Sequence, residues 1–512
     1  MFSISEKEVN VGRQRELDLV KGFLMIMIIL IHSFQTIAGV EAAESNTHKI
    51  LFGLFMPTGA CLYLFTMGFG SVFTRHSKPK DMVKNGVKLV FYQGLSNLCY
   101  AAVIVISFHI RIALTGEVAG SRELYEANLY SMLTFVNIFF ISGMCYLILA
   151  LYKKLGVKPV GYIISAVIVG LVSPFTGLLV SDNPALNRIL DMTFGGKGET
   201  SFCFFPYLSY VFLGYVFGKV IRTIPENEKG NFYKKSGIIC GILAAVWFVA
   251  CILLHPGIDG LFNYMSGQYR IPGLAKVIGS FCTIMFAFAV SFWIMPVIEK
   301  WKFVYNKLCY YSKQISKMYA VHIGVYFAIG GFCAFYAFDV KDCLLWSVVV
   351  LIVTDLLVQG YIRVADKMKR KNTIILVIAF LLLGCGIAFF YKNTDKSEKV
   401  SVIPVSAGEL LCSSKEGYNS IEVYKQENQL VINAESEAAF FDGAQFTVET
   451  AGEITPENVE IIWMTIGGGT EQTEDNDRVI AEIKITDSGE LICDTKINFA
   501  KKAFEAVEDV LE

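Results

Sequence analysis

The chain has 512 residues, of which 54% are hydrophobic and only 18% charged, with a mean hydropathy of +0.50. Average soluble domains carry about a quarter charged residues, so a protein made only of soluble domains is excluded. The formal net charge of −1 conceals a division at Tyr391: residues 1–391 hold 35 Lys+Arg against 21 Asp+Glu, whereas residues 392–512 hold 10 against 25.

Apolar runs long enough to cross a bilayer core of about 30 Å fall at 22–39, 51–74, 89–110, 129–152, 160–180, 202–221, 236–254, 274–297, 318–337, 342–362 and 373–391. The first follows a long polar stretch and precedes GVEAAESNTHK, which offers no small-x-small cleavage site, so it is expected to stay as an anchor. Lys and Arg in the amino-terminal segment and every second loop number 27, against 8 in the alternate loops, with Lys276 counted among the latter. That bias predicts a cytosolic amino terminus. With eleven spans, the acidic tail would then lie outside. Basic charge placed this way reports orientation, and no nucleic-acid partner is expected.

The tail alternates with the strand period. Hairpins are expected at Ile421–Asn433 and around Ser488-Gly489, a buried strand in VEIIWMTI, and a closing helix in AKKAFEAVEDVLE. The predicted fold is therefore an all-α polytopic membrane bundle of about eleven transmembrane helices over 1–391, followed by a small acidic α+β domain over 392–512. The Gly467-Gly468-Gly469 run lacks the lysine of a phosphate loop and the spacing of a calcium loop, and reads as a solvated loop. Thirteen cysteines show no CxxC and no metal-ligand spacing, so no metal is expected. Cys412 and Cys493 would either pair in an oxidising space or remain buried thiols.

Ionisable residues inside spans are costly, so each is a functional candidate. His32 lies near the middle of the first run. Lys21, eleven positions earlier, points in nearly the same direction on a helix, about 16 Å away along the axis, and Asp18 and Gln35 fall on the same side. Imidazole suits a general base near neutrality; the competing reading is a histidine that hydrogen-bonds a neighbouring helix and only packs. Arg13, Arg15 and Lys21 before the first span, with Lys84 and Lys88 before the third, form two basic clusters that could converge on phosphates, although a positive-inside bias alone would also put lysines there. His322 shares a helix face with Tyr319 and is expected at the membrane entrance, to orient, relay or pack. His109 and Arg111 fall at the outer end of the third span. Asp355 requires a partner lysine or a cation, more in keeping with a structural ion pair than with catalysis. His48 falls in a short outer loop, where a solvated histidine or one acting on an external acceptor would both fit. No GxSxG or HExxH motif supports a covalent or zinc mechanism.

The first of these segments also carries a resemblance. RELDLVKGFLMIMIILIHSF, Arg15 to Phe34, resembles the opening helix of the integral membrane acyltransferases, of both the acyltransferase type 3 and the heparan-α-glucosaminide N-acetyltransferase-like kind, with Asp18, Lys21 and His32 at the family's spacings and Lys21 where Arg is usual. PTGACLYLFTMGFG (Pro57–Gly70), MVKNGVKLVFYQGL with Lys88, FFPYLSYVFLGYVFGK (Phe204–Lys219) and SKQISKMYAVHI are similar to later segments, so that the likeness runs over about 13–340. Nothing in the tail matches. The resemblance implies transfer of an acyl group, usually acetyl, from cytosolic acyl-CoA to a hydroxyl or amine of a glycan, lipid or small molecule at the outer face. It implies Arg15, Lys21 and Lys88 as cofactor-binding residues, and His32 and His322 as catalytic ones. The partners would be acyl-CoA, the acceptor and the bilayer, with a homodimer left open. The alternative is a transporter or flippase for a cell-envelope precursor or small solute, using Asp355 and helices broken near Pro57, Pro174 and Pro206; a non-enzymatic sensor is the third reading.

Overall fold

A computed structural model describes residues 5, 7–75, 77–115, 133, 135–181, 183–195, 203–333, 338–367, 408–416, 419–426, 429–436, 444–449, 459–465, 478–487, 490–500 and 503–510. The helices are α1 (Arg15–Thr36), α2 (Val40–Glu44), α3 (Asn46–Phe55), α4 (Gly59–Phe73), α5 (Pro79–Thr115), α6 (Ile138–Lys154), α7 (Pro159–Thr176), α8 (Pro184–Phe194), α9 (Phe204–Thr223), α10 (Lys229–Leu254), α11 (Gly257–Arg270), α12 (Leu274–Ile298), α13 (Lys302–Cys333) and α14 (Val340–Lys367). Eight helical stretches among the described residues are long and apolar enough to cross a membrane, and the chain is an integral membrane protein. The described parts of ten of the eleven apolar runs overlap helices, the run at 51–74 being divided between α3 and α4; the run at 373–391 lies outside the described residues.

Close packing depends on small residues, as expected where lipid gives no hydrophobic drive for helices to associate. A Cβ on Gly214 of α9 would stand 2.1 Å from the carbonyl oxygen of Phe65 on α4, and one on Gly22 of α1 would stand 2.6 Å from that of Leu308 on α13. The second contact matters most for the site. Helices α1 and α13 run side by side in the same direction. Ser312 Oγ donates to Asp18 Oδ1 at 2.8 Å, Tyr326 Oη donates to the carbonyl of Ile29 at 2.7 Å, and the chain beyond α1 bridges that before α14 at Ala38 and Phe338.

Two expectations are corrected in this region. Lys300–Lys317 is not a short loop, because α13 begins at Lys302: Leu308, Tyr311, Ser312 and Ile315 are buried there while Lys302, Lys313 and Lys317 are exposed. Lys276 is not a loop residue either; it is the third residue of α12 and fully buried, beside Met265 and the Trp247 ring.

The described part of the tail is all strand. Sheets β1–β2–β3–β4 (Glu409–Glu416, Asn419–Gln426, Gln429–Ser436, Ala444–Glu449) and β5–β6–β7–β8 (Val459–Thr465, Arg478–Asp487, Glu490–Ala500, Ala503–Val510) are both antiparallel meanders. The two predicted hairpins are present, and VEIIWMTI supplies a strand, Val459–Thr465, in which Val459 is buried and Glu460 exposed. The closing helix is not present: Ala503–Val510 pairs with β7 from Ala500↔Ala503 to Cys493↔Val510. The described tail is therefore a β structure and not α+β. Cys412 is a free thiol on β1.

Candidate active site

Tertiary packing places His32 of α1 against His322 of α13. Their rings are stacked at 10° with centroids 5.1 Å apart, and His32 Nδ1 lies 2.8 Å from His322 Nε2. His322 is fully buried, well inside α13 and not at its entrance. Its Nδ1 faces the carbonyl oxygen of Met318 at 3.1 Å. A carbonyl can only accept, so that Nδ1 carries hydrogen and, in the neutral ring, Nε2 presents a lone pair. His32 Nδ1–H then donates to it, and His32 Nε2 keeps the lone pair. The order is Met318 carbonyl, His322, His32. Tyr319 sets its edge against both rings, with centroids 6.3 Å from His32 and 5.2 Å from His322.

His32 lines a chamber of about 180 Å³ together with Gln35, Tyr63, Tyr269, Ser291 and Tyr319; Phe55, Met56 and Thr58 from the α3–α4 junction also wall it. A second, larger cavity of about 980 Å³ runs between α5 and α13. It follows α5 from Asn85 to Val103, about 27 Å of helix, and is lined by Lys21, Lys88 and Lys317 with no Asp or Glu among the described lining residues. Lys88 lies over the Tyr92 ring, 5.2 Å from its centroid, and Lys317 donates to Gln314 Oε1 at 2.7 Å. Among the described residues, Tyr63 alone belongs to both linings. The polar stripe of the first helix is thus shared out, with Lys21 facing the large cavity and His32 and Gln35 facing the small one.

Of the residues proposed from sequence, His32 and His322 come together, as do Lys21 and Lys88. Arg15 does not line either cavity: its Nη1 pairs with Glu299 Oε1 at 2.6 Å. Asp18 is held by Arg13 at 2.5 Å and by Ser312. His48 opens α3 and is buried, its Nδ1 2.6 Å from the carbonyl oxygen of Ala43 and its ring stacked on Phe34 at 5.3 Å, so the solvated-loop reading is replaced. Asp355 has the lysine its position requires, Lys307, at 2.5 Å. Sequence reasoning missed Lys317 and Tyr63. Lys317 stood in what read as a loop, and nothing in the Tyr63 segment distinguishes that tyrosine from core aromatics.

These features define an integral membrane protein with a histidine-bearing chamber set beside a lysine-lined cavity. Residues 13–247, just under half of the chain, match the family model described as heparan-alpha-glucosaminide N-acetyltransferase, catalytic. The match supports placing the chain with the membrane acyltransferases of that type, and it includes Lys21, His32, Tyr63 and Lys88 but stops before His322. No curated protein and no solved structure matches the chain.

Proposed function

We propose that the protein is a membrane-embedded acyltransferase that takes an acyl group, in the simplest case acetyl, from cytosolic acyl-CoA and passes it to a hydroxyl or amine of a glycan, lipid or small molecule reaching the site from the outer face. What supports this reading is the imidazole pair, whose hydrogen-bond order gives His32 Nε2 the lone pair, in a chamber adjoining a cavity lined by Lys21, Lys88 and Lys317 with no Asp or Glu among its described lining residues. Phosphates of CoA would be held by Lys21, Lys88 and Lys317 as point charges. The pantetheine arm would run along the larger cavity and bring the thioester to Tyr63. There the acceptor attacks the carbonyl carbon, its proton passes to His32 Nε2, the C–S bond breaks, and the proton returns to the departing CoA sulfur. Holding both substrates in adjoining chambers supplies the orientation the attack needs.

The orientation that goes with this mechanism has residues 5–14 in the cytosol and the β-rich tail outside, where the tail would bind or present the acceptor. The lysine bias supports the first half; the second depends on an odd number of spans. The transporter reading used Asp355 and helices broken near Pro57, Pro174 and Pro206: the ion pair with Lys307 gives that carboxylate a structural explanation, Pro174 and Pro206 lie inside continuous helices, and α3 and α4 part around Pro57. The deciding experiment is acetyl-CoA consumption by the purified protein in bilayer discs with a panel of amine and hydroxyl acceptors. Consumption by the parent protein, lost in His32→Ala, supports the proposal. Absence of consumption, together with solute flux that survives His32→Ala, overturns it.

A further inference from the structure

The tetrahedral intermediate of acyl transfer places negative charge on the former carbonyl oxygen, and rate acceleration requires a donor aimed at it. Several hydroxyls around the two cavities already donate elsewhere. Thr58 Oγ1 donates to Phe55 O at 3.0 Å, Thr66 Oγ1 to Tyr63 O at 2.8 Å, Ser96 Oγ to Gln93 O at 2.8 Å and Tyr100 Oη to Ala320 O at 3.1 Å.

Tyr63 is different. It sits on α4 where the helix passes from one cavity to the other: Gly59, Ala60 and Leu62 line the histidine chamber, and Thr66, Met67 and Gly70 line the lysine cavity. Ser142 of α6 and Ser316 of α13 stand beside its hydroxyl. Tyr63 thus stands in the wall that the two linings share.

We infer that Tyr63 is a catalytic residue, the post between donor and acceptor chambers, whose O–H donates to the thioester oxygen as the acceptor attacks. This deepens the acyltransferase reading and rests on it. The bookkeeping leaves tyrosine protonated throughout: the new C–O or C–N bond forms, the C–S electron pair leaves with sulfur, the acceptor proton travels through His32, and Tyr63 only shares its hydrogen with the transient oxyanion.

The test is Tyr63→Phe in the full-length protein, with turnover and acetyl-CoA binding measured separately. Loss of one oxyanion donor is expected to lower kcat about 10²-fold while the dissociation constant for acetyl-CoA stays within about twofold, because the ring that shapes the wall is retained. Unchanged kcat in Tyr63→Phe overturns the assignment while leaving the acyltransferase reading intact; an inactive parent protein would instead remove that reading. If Tyr63→Phe does not fold, 3-fluorotyrosine incorporated at position 63 decides: a more acidic donor is expected to change kcat roughly twofold or more, and an unaltered kcat overturns the assignment.

Discussion

His32 Nδ1 lies 2.8 Å from His322 Nε2, and what stands behind the pair is the main-chain carbonyl of Met318, not a carboxylate. The two residues have unequal roles in this arrangement. His32 faces the chamber, whereas His322 acts through it. His32→Ala should abolish turnover. His322→Ala should lower kcat about 10²-fold, within the range seen for general-base machinery, with the KM for acetyl-CoA nearly unchanged. Steady-state kinetics in bilayer discs distinguishes the two, and equal KM and kcat losses in His322→Ala would contradict the positioning role.

The cavity lysines should behave as a group and Arg15 should not. Lys21→Met and Lys88→Met each remove a cation from a lining that has no carboxylate among its described residues, and each is expected to raise the KM for acetyl-CoA by about 10-fold, the loss expected for one charge-assisted contact to phosphate. Arg15→Met breaks an ion pair with Glu299 whose arginine side chain is 57% exposed, and pairs of that kind contribute little. Its KM should stay within about twofold. Binding of acetyl-CoA followed by titration calorimetry is the check, and a larger effect from Arg15 than from Lys21 would relocate the phosphates.

A buried ion pair ties α1 to α10. Lys229 Nζ lies 3.0 Å from Glu16 Oε1 and 2.9 Å from Gln14 Oε1, Tyr233 Oη donates to the same carboxylate oxygen at 2.9 Å, and the two charged side chains are 4% and 1% exposed. Lys229→Met should leave an uncompensated carboxylate and destabilise the protein by about 3–5 kcal/mol. Adding Glu16→Gln should recover most of that loss, as read by thermal melting in detergent.

The Asp355–Lys307 pair gives a prediction that separates enzyme from transporter. Asp355→Asn should lower the melting temperature and leave acetyl-CoA turnover per folded molecule intact, because neither residue lines the histidine chamber. Loss of turnover with normal stability would count against the pair being structural.

At the amino terminus, Glu8 is held below the ordinary carboxylate range, first by its hydrogen bond with Lys219 and then by the charges of Lys219 and Arg222. A carboxyl whose folded value is depressed stabilises the folded arrangement above its unfolded value of 4.5 and loses that contribution as pH falls through the lowered folded value. The strap formed by Ser5, Val9 and Asn10, whose amides donate to Thr223 and Arg222 carbonyls, should thus loosen on acidification below about pH 4.5. A spin label at Lys7→Cys reports it: mobility should rise in that window in the parent and be high at all pH values in Glu8→Gln.

Much of the bundle was legible because hydrocarbon length and the 3.6-residue repeat leave strong marks: ten of the eleven apolar runs overlap described helices, and the coincidence in direction of Lys21 and His32 singled out the first one. The failures have specific causes. Lys302–Lys317 read as a loop because its lysines dominate the local hydropathy, although they occupy one side of a helix whose other side packs on α1, and this displaced His322 toward the membrane edge. Ala503, Ala506, Val507 and Val510 fall at helical spacing, yet β7 offers an unpaired edge whose backbone groups this segment satisfies as a strand. Lys276 passed as a loop residue because the Met265 side chain and the Trp247 ring that cover it lie on other helices. Tyr63 was invisible because its importance is relational: it is the residue common to two linings, and nothing local records that.

The carbonyl of Met318 behind the imidazoles has an evolutionary corollary. A carboxylate in that position could be exchanged by a single codon change, and the basicity of the histidine in front of it would shift accordingly. A peptide oxygen belongs to the helix and not to a side chain, so no point mutation deletes it. Under the proposed mechanism, lineages would therefore adjust the base through the helix itself, by a proline, a glycine or a one-residue slip that moves the oxygen away.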